Sequence, residues 1–451
     1  MTIGRNEGRK ELYRQMLLCA PDQQNRFANI IMDGNNPDIY EIKQAKKLYL
    51  SAAKMAYPPA QFNLAFFYEL RTIGLRNKNR AVFWYTKSAE NNYVLAQLKL
   101  ARCYECNILL NEDIIKALYW YEKAAAQGDA EAIAKLNDPK FQTKVAFAYE
   151  NAIGTEVAII KALTYYEKAA AQGDAEAIVK LNDPKFQTKV ASAYEYGVDT
   201  EVAIIKALTY YEMAAAQGNI LAMERLENIS FQRQIGLCYI GMSDERSVQE
   251  AIKWWLKAAE KNDSISQFLL GSYFETNLSR DPIKALYWYK KAAAQGCAQS
   301  LARLENSEFQ VLIAFSYSRG CDTPKNEELA VEWCKKAADE NHPGAMYSIA
   351  NYYWNKNLLD LAVKYYKKAA INNNPEAQYT LAVLFEIGLG GVAENFCNAL
   401  FWYDRAARLG HVVAEERLEI FQDNPSFTLK LVNTQCVAQV PKNIEINFGR
   451  Y

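Results

Sequence analysis

Histidine is almost missing from this chain. His342 and His411 are its only two in 451 residues, too few for a histidine-centred catalytic triad or a histidine zinc site. Charge of one sign is missing too. Fifty-two lysines and arginines face 52 aspartates and glutamates, so the net basic field that neutralises nucleic-acid phosphates is absent. No apolar run reaches about 18 residues, which excludes a membrane-spanning helix. Arg5, Glu7, Arg9, Lys10 and Glu11 precede only a short apolar patch, which is not a secretory signal. The nine cysteines (Cys19, Cys103, Cys106, Cys238, Cys297, Cys321, Cys334, Cys397 and Cys436) recur at no common position of any repeat. An odd count without a signal reads as free thiols in a reducing compartment, so the expected location is cytoplasmic.

What the chain does have is one phrase ten times over. An alanine is followed three and four residues on by aromatics, then by Lys-Ala-Ala; Lys116 to Gly128 is the cleanest copy. The leading alanines are Ala45, Ala81, Ala117, Ala162, Ala207, Ala251, Ala285, Ala330, Ala362 and Ala399, so the period runs from 32 to 45 residues. A period of that length marks a solenoid, in which each unit contacts only its neighbours. The alanine, the aromatics and the Ala-Ala pair share one face at the 3.6-residue period, and Gln-Gly closes the better copies as a helix end. This is helix B.

Helix A surrounds a second phrase, Ala-x3-Leu-Ala/Gly-x2-Tyr/Phe, as in Ala60, Leu64, Ala65 and Tyr68 or Ala377, Leu381, Ala382 and Phe385. The small residue admits a neighbouring helix and the aromatic fills the adjacent groove. An A–B hairpin is apolar on both sides, so only stacking buries it. Four units grow to 44 or 45 residues through about nine inserted inside the helix A phrase. In Asn137-Asp138-Pro139-Lys140-Phe141 the aspartate is an N-cap and the proline a first helical residue. The insertion therefore predicts a short extra helix, a break, and helix A beginning afresh near Pro139. Residues 116–160 and 161–205 differ at eight positions, four of them in the loop Asn151 to Gly154 against Tyr196 to Asp199. That is the mark of a segmental duplication, and a chain tolerating a whole extra unit is a poor host for a catalytic constellation spanning that point.

These paired phrases, recurring in order over roughly residues 40–422, resemble the Sel-1-like repeat family. Tetratricopeptide repeats are its nearest relatives but lack the Lys-Ala-Ala-x-Gln-Gly ending. The resemblance implies an all-α, right-handed αα-superhelix of about ten repeats that acts as a scaffold or adaptor for other proteins, in bacteria often in signalling or contact with a host. Two departures stand out: the insertions, which disturb the pitch, and Leu48 and Cys334, which replace aromatics. The expected layout is an N-terminal helical cap over 1–36, the array over 37–422, and an extended tail or cap over 423–451.

Most conspicuous residues read as scaffold. Six of eight tryptophans hold the same helix B place, as core aromatics do. Cys103-Tyr104-Glu105-Cys106 is a lone CxxC without a second pair. Gly388-Leu389-Gly390-Gly391 lacks the lysine of a phosphate loop. No cofactor or metal is called for, and the chain reads as a non-enzyme. One set resists this reading. Glu69, Glu105, Glu150, Glu195, Glu275 and Glu386 each follow the helix A aromatic, near a helix C-terminus where the dipole opposes a carboxylate. Where helix A lines the concave side, as in related solenoids, they share a rim of the groove, with Phe66, Phe147 and Phe315 as non-repeating apolar contacts. The expected partner is a protein or peptide with a basic, extended segment. The competing function class is a regulatory or activator subunit of an enzyme working through the same groove.

Overall fold

The computed structural model describes residues 3–34, 37–70, 77–152, 154–242, 244–276, 281–321 and 323–423. Among these there are 26 helices and no strand, so the fold is an all-α solenoid. The helices fall into two compact units that divide between Asn228 and Ile229.

The first unit holds five hairpins: Pro21–Met32 with Ile39–Lys54, Pro58–Glu69 with Lys78–Glu90, Val94–Glu105 with Ile114–Ala125, Pro139–Ala152 with Glu156–Ala171, and Pro184–Gly197 with Glu201–Ala216. The second unit holds hairpins six to ten: Ile229–Gly241 with Glu245–Glu260, Ser264–Thr276 with Pro282–Ala294, Ser307–Arg319 with Glu327–Asp339, Pro343–Asn355 with Leu359–Ile371, and Pro375–Ile387 with Phe396–Arg408. Four short helices lie between hairpins at the insertions: Ala130–Leu136, Ala175–Leu181, Ile220–Leu226 and Ala298–Glu305. Ile3–Leu17 precedes the first hairpin and Val412–Asp423 packs on the last. The boundary expected at residue 36 thus falls between the two helices of the first hairpin. The extended tail expected over 423–451 lies, beyond Asp423, outside the described residues.

Local chemistry explains these boundaries. Asp113, Thr155, Thr200, Asp281 and Asn395 cap their helix B N-termini, each side chain accepting a backbone N–H three residues on. At the other end the chain turns through the left-handed region, with Gly128 at φ 84° and Gly173 at 85°. Copies without glycine put asparagine there: Asn92, Asn262, Asn341 and Asn373. Asparagine tolerates that region because its short amide bonds locally. Asp183 caps the restart at Pro184 by accepting from Lys185 N–H, as the Asp-Pro signal anticipates. The two histidines are also caps: His342 Nδ1 accepts from Ala345 N–H and His411 Nδ1 from Ala414 N–H.

A buried glutamine ties each junction. Gln97 donates to Ala89 O of the preceding helix B, and Gln127, from the Gln-Gly ending, donates to Gln97. In inserted units the same glutamine caps the short helix instead, as Gln142 does at Leu136 O.

The thiols depart from expectation at one place. Seven of the eight described cysteines are free, whereas Cys397 is disulfide-bonded. Cys103 is in the core, where burial pushes its thiol up to about 11. No helix among the described residues is long and apolar enough to cross a membrane.

Candidate functional site: a ladder of internal clamps and the hairpin that lacks one

The six glutamates stand at the ends of helices A, but the structure does not present them to a groove. Each accepts a hydrogen bond from the buried helix B tyrosine of its own hairpin. Tyr85 donates to Glu69 at 2.7 Å, Tyr121 to Glu105 at 2.8 Å, Tyr166 to Glu150 at 3.2 Å, Tyr211 to Glu195 at 3.0 Å, Tyr289 to Glu275 at 2.9 Å and Tyr403 to Glu386 at 2.6 Å. A cation from the next helix then pairs with the same carboxylate: Lys99, Lys135, Lys180, Arg225, Arg303 and Arg417 in order, with Lys189 also on Glu150. The glutamate side chains are only 2–15% exposed. The expectation of an acidic rim is corrected accordingly: the tyrosine and the cation supply what the opposing helix dipole takes away.

This three-membered clamp crosses a hairpin and fastens it to the next helix. Four of its cations (Lys135, Lys180, Arg225 and Arg303) come from the short inserted helices, which gives the insertions a structural task. Burial and then the glutamate hydrogen bond raise the tyrosine hydroxyls above their usual range, as at Tyr85, Tyr121 and Tyr289. The hydrogen bond from Glu275 likewise raises Arg303. Such charge-assisted bonds are the stronger kind.

Four hairpins lack the clamp, and in each the whole set changes together. In the first, Tyr49 donates to Asn29, which also accepts from Asn63 of the next helix. In the ninth, Tyr366 donates to Asn351. In the sixth the set is apolar, with Ile240 and Leu269 packed on a core that includes Trp255. In the eighth it is Ser318, Cys334 and Ser348, and these three line one cavity of about 150 Å3. Its remaining walls include Val311, Ala314, Phe315, Val331 and Tyr352. Beside it a polar hollow of about 410 Å3 is lined by Glu327, Ser348, Asn351, Tyr352, Asn355 and Lys356. In the first unit a hollow of about 630 Å3 surrounds Glu150, Thr188, Lys189 and Ser192.

Every hairpin of both units therefore carries the same A–B geometry. Residues 58–93, 94–129, 139–174, 184–219, 232–263, 264–297, 307–342, 345–374 and 375–411 match the Sel1 repeat, well over half of the chain. The chain belongs to the Sel1 repeat family. The matched segments leave out 130–138, 175–183 and 298–306, where three of the short helices of this Sel1 array lie. Among solved structures it is similar to a protective antigen of uropathogenic Escherichia coli strains with an SLR fold (24% identity, spanning 92% of this chain and 81% of the other, TM-score 0.29). It is also similar to a Sel1 repeat protein of Oxalobacter formigenes (20%, 88% and 92%, 0.27) and to yeast Tom70 (16%, 94% and 89%, 0.23). Superpositions this loose carry no argument about function.

Of the residues singled out in the sequence, the phenylalanines do reach solvent. Phe66 is 45% exposed, Phe147 58% and Phe315 44%, and Leu237 at the equivalent place is 44% exposed. They do not form one continuous strip, because Arg102 holds that place in the third hairpin, paired to Glu131. Two features escape a reading of the sequence alone. One is a second exposed aromatic row on helix B, Phe83, Tyr119, Tyr287 and Phe401, each ring edge-on to the tryptophan that follows it. The other is the triple substitution at the eighth hairpin. Its signal was available, since a glutamate occurs only in hairpins whose helix B aromatic is tyrosine.

Proposed function

We propose that this Sel1 array is a non-enzymatic protein-interaction scaffold that receives a partner polypeptide along the exposed row of helix A, at Phe66, Phe147, Leu237 and Phe315. The observation that carries this reading is the division of labour between the two kinds of position. Repeating polar residues are consumed in internal clamps, while the position beside them changes identity from unit to unit and keeps large apolar side chains in solvent. A row that varies while its support repeats is what recognition of a specific sequence needs, because the scaffold's own packing does not fix it.

With the carboxylates engaged by lysines and arginines of the array itself, a basic segment has no special claim on this surface. The partner's contacts are expected to be apolar side chains spaced to match the hairpins. The test is site-specific photo-crosslinking in the cells the protein comes from. A benzophenone side chain at Phe66, Phe147 or Phe315 is expected to capture the same polypeptide. The same group at exposed Lys43 or Lys78, away from this row, is expected to capture none. Capture only from the latter positions would place the binding surface elsewhere. If the captured polypeptide is an enzyme, its turnover with and without the array tells a regulatory subunit from a passive adaptor.

A further inference from the structure

We infer that the eighth hairpin is a socket for one aromatic side chain of the partner polypeptide, a tyrosine by preference, which enters the cavity at Cys334 and takes the place that a ring of the array fills in every other hairpin. The inference rests on the scaffold reading and names what one part of that surface holds.

The argument begins with the ring that is missing. The helix B position four residues after the leading alanine is Tyr49, Tyr85, Tyr121, Tyr166, Tyr211, Trp255, Tyr289, Tyr366 or Tyr403 in nine hairpins, each side chain buried. Only Cys334 is not aromatic. Where a hairpin abandons the clamp elsewhere, the gap is closed with asparagines or with apolar side chains. Here Ser318 and Ser348 stand where the glutamate and the cation would be, and all three replacements are small, so a cavity of about 150 Å3 remains. An apolar cavity of about this volume admits a benzene ring.

Its walls suit a ring. Phe315 and Tyr352 offer aromatic surface, and Val311, Ala314 and Val331 offer aliphatic surface. Arg319 lies over the Phe315 ring at 4.1 Å from its centroid and holds that wall in place. The polar atoms suit a phenol. Ser318 Oγ donates to Phe315 O and Ser348 Oγ donates to Gly344 O, so each hydroxyl has spent its proton and keeps its oxygen as an acceptor. A phenolic O–H is a donor, and it would find here neutral counterparts of the glutamate that receives each tyrosine elsewhere. The Cys334 thiol is 6% exposed and burial pushes it up to about 11. It is therefore a protonated wall rather than a nucleophile. The adjoining hollow with Asn351, Asn355 and Lys356 supplies amide and ammonium groups for the backbone on either side of an inserted side chain. A polypeptide is thereby favoured over a free aromatic molecule.

The experiment uses the full chain with 13C-methyl alanine and valine and titrates p-cresol, the tyrosine side chain alone, then N-acetyl-tyrosinamide. Saturable shifts confined to the methyls of Val311, Ala314, Ala330 and Val331 are expected, with the amide binding more tightly than cresol. Cys334→Tyr, which gives the hairpin its own ring, is expected to abolish them. Ser318→Leu blocks the mouth from a partly exposed position and gives the same result should the first variant fold poorly. Phe315→Ala, which removes an exposed wall, should weaken binding by roughly tenfold, as loss of an aromatic contact does. Absence of shifts in the parent, or equal shifts in Cys334→Tyr, overturns the socket. The crosslinked partner gives the decisive arm. If it binds Cys334→Tyr and Ser318→Leu as tightly as the parent, the socket falls while the scaffold reading stands. If no polypeptide is captured at all, the scaffold reading fails and the socket for a partner side chain fails with it.

Discussion

Replacing Glu69, Glu105 and Glu150 together by glutamine separates two accounts of the acidic ladder. If the carboxylates were a docking rim, the triple variant would fold as well as the parent and bind its partner less. The clamps require the reverse. Glutamine keeps the shape and can still accept from Tyr85, Tyr121 and Tyr166, but it forfeits the ion pairs to Lys99, Lys135, Lys180 and Lys189. It also turns an amide NH2 towards an ammonium. Hydrogen bonds to charged groups contribute about 1.5–3 kcal/mol each. The lysines of the main pairs are 28% exposed, so water recovers part of that and about 1–2 kcal/mol per site remains. The three sites lie in different hairpins and share no partner, so their effects are expected to add, to roughly 3–6 kcal/mol. At about 2–4 °C per kcal/mol for a unit of this size, Tm should fall by on the order of 10 °C. The assay is thermal unfolding followed by circular dichroism, beside partner affinity at a temperature where both proteins are folded. An unchanged Tm with weakened binding would refute the clamp argument and restore the carboxylates as a ligand surface.

Three further outcomes follow from the same geometry. The hydroxyls of Tyr85, Tyr121, Tyr166, Tyr211, Tyr289 and Tyr403 have raised pKa values when folded, chiefly through burial. Their contribution is therefore complete below about pH 10 and is lost above it, where the unfolded chain ionises first, by up to about 1.4 kcal/mol per pH unit and tyrosine. Urea midpoints should drop steeply through that range and less steeply in Tyr121→Phe; a flat profile to about pH 11 would contradict this. Gly236→Ala should cost about 1–3 kcal/mol, because a Cβ there would stand 2.3 Å from Trp255 Nε1 and 2.4 Å from its Cδ1; recovery in the double variant with Trp255→Tyr, measured by denaturant unfolding, ties the cost to the indole. Deleting 161–205 should leave a helical, soluble chain, since Glu150 then meets Tyr211 and Arg225 at the spacings that Tyr166 and Lys180 had; loss of helical circular dichroism would show that the repeats are not modular.

The sequence determined the hairpins. Their apolar positions recur at the helical period, their ends carry Asp, Thr, Asn and Gly, and Asp-Pro marks each restart in the duplicated units. All of these act within a few residues of one another, so a single chain of letters is enough to read them. Even the fate of Gly388, Gly390 and Gly391 as a turn, with φ of 65°, 72° and 77°, was legible. Tertiary structure alone decided what the ladder is for. A glutamate, a tyrosine 16 residues on and a cation 30 residues on, as in Glu69, Tyr85 and Lys99, belong to three different helices. Only packing brings them within bonding distance and takes them out of water, and a carboxylate at a helix end looks the same in the sequence whether it faces a ligand or a tyrosine. The socket at Ser318, Cys334 and Ser348 was hidden for the same reason. Each substitution is unremarkable by itself, and the cavity exists because three helices place the three small side chains around one volume.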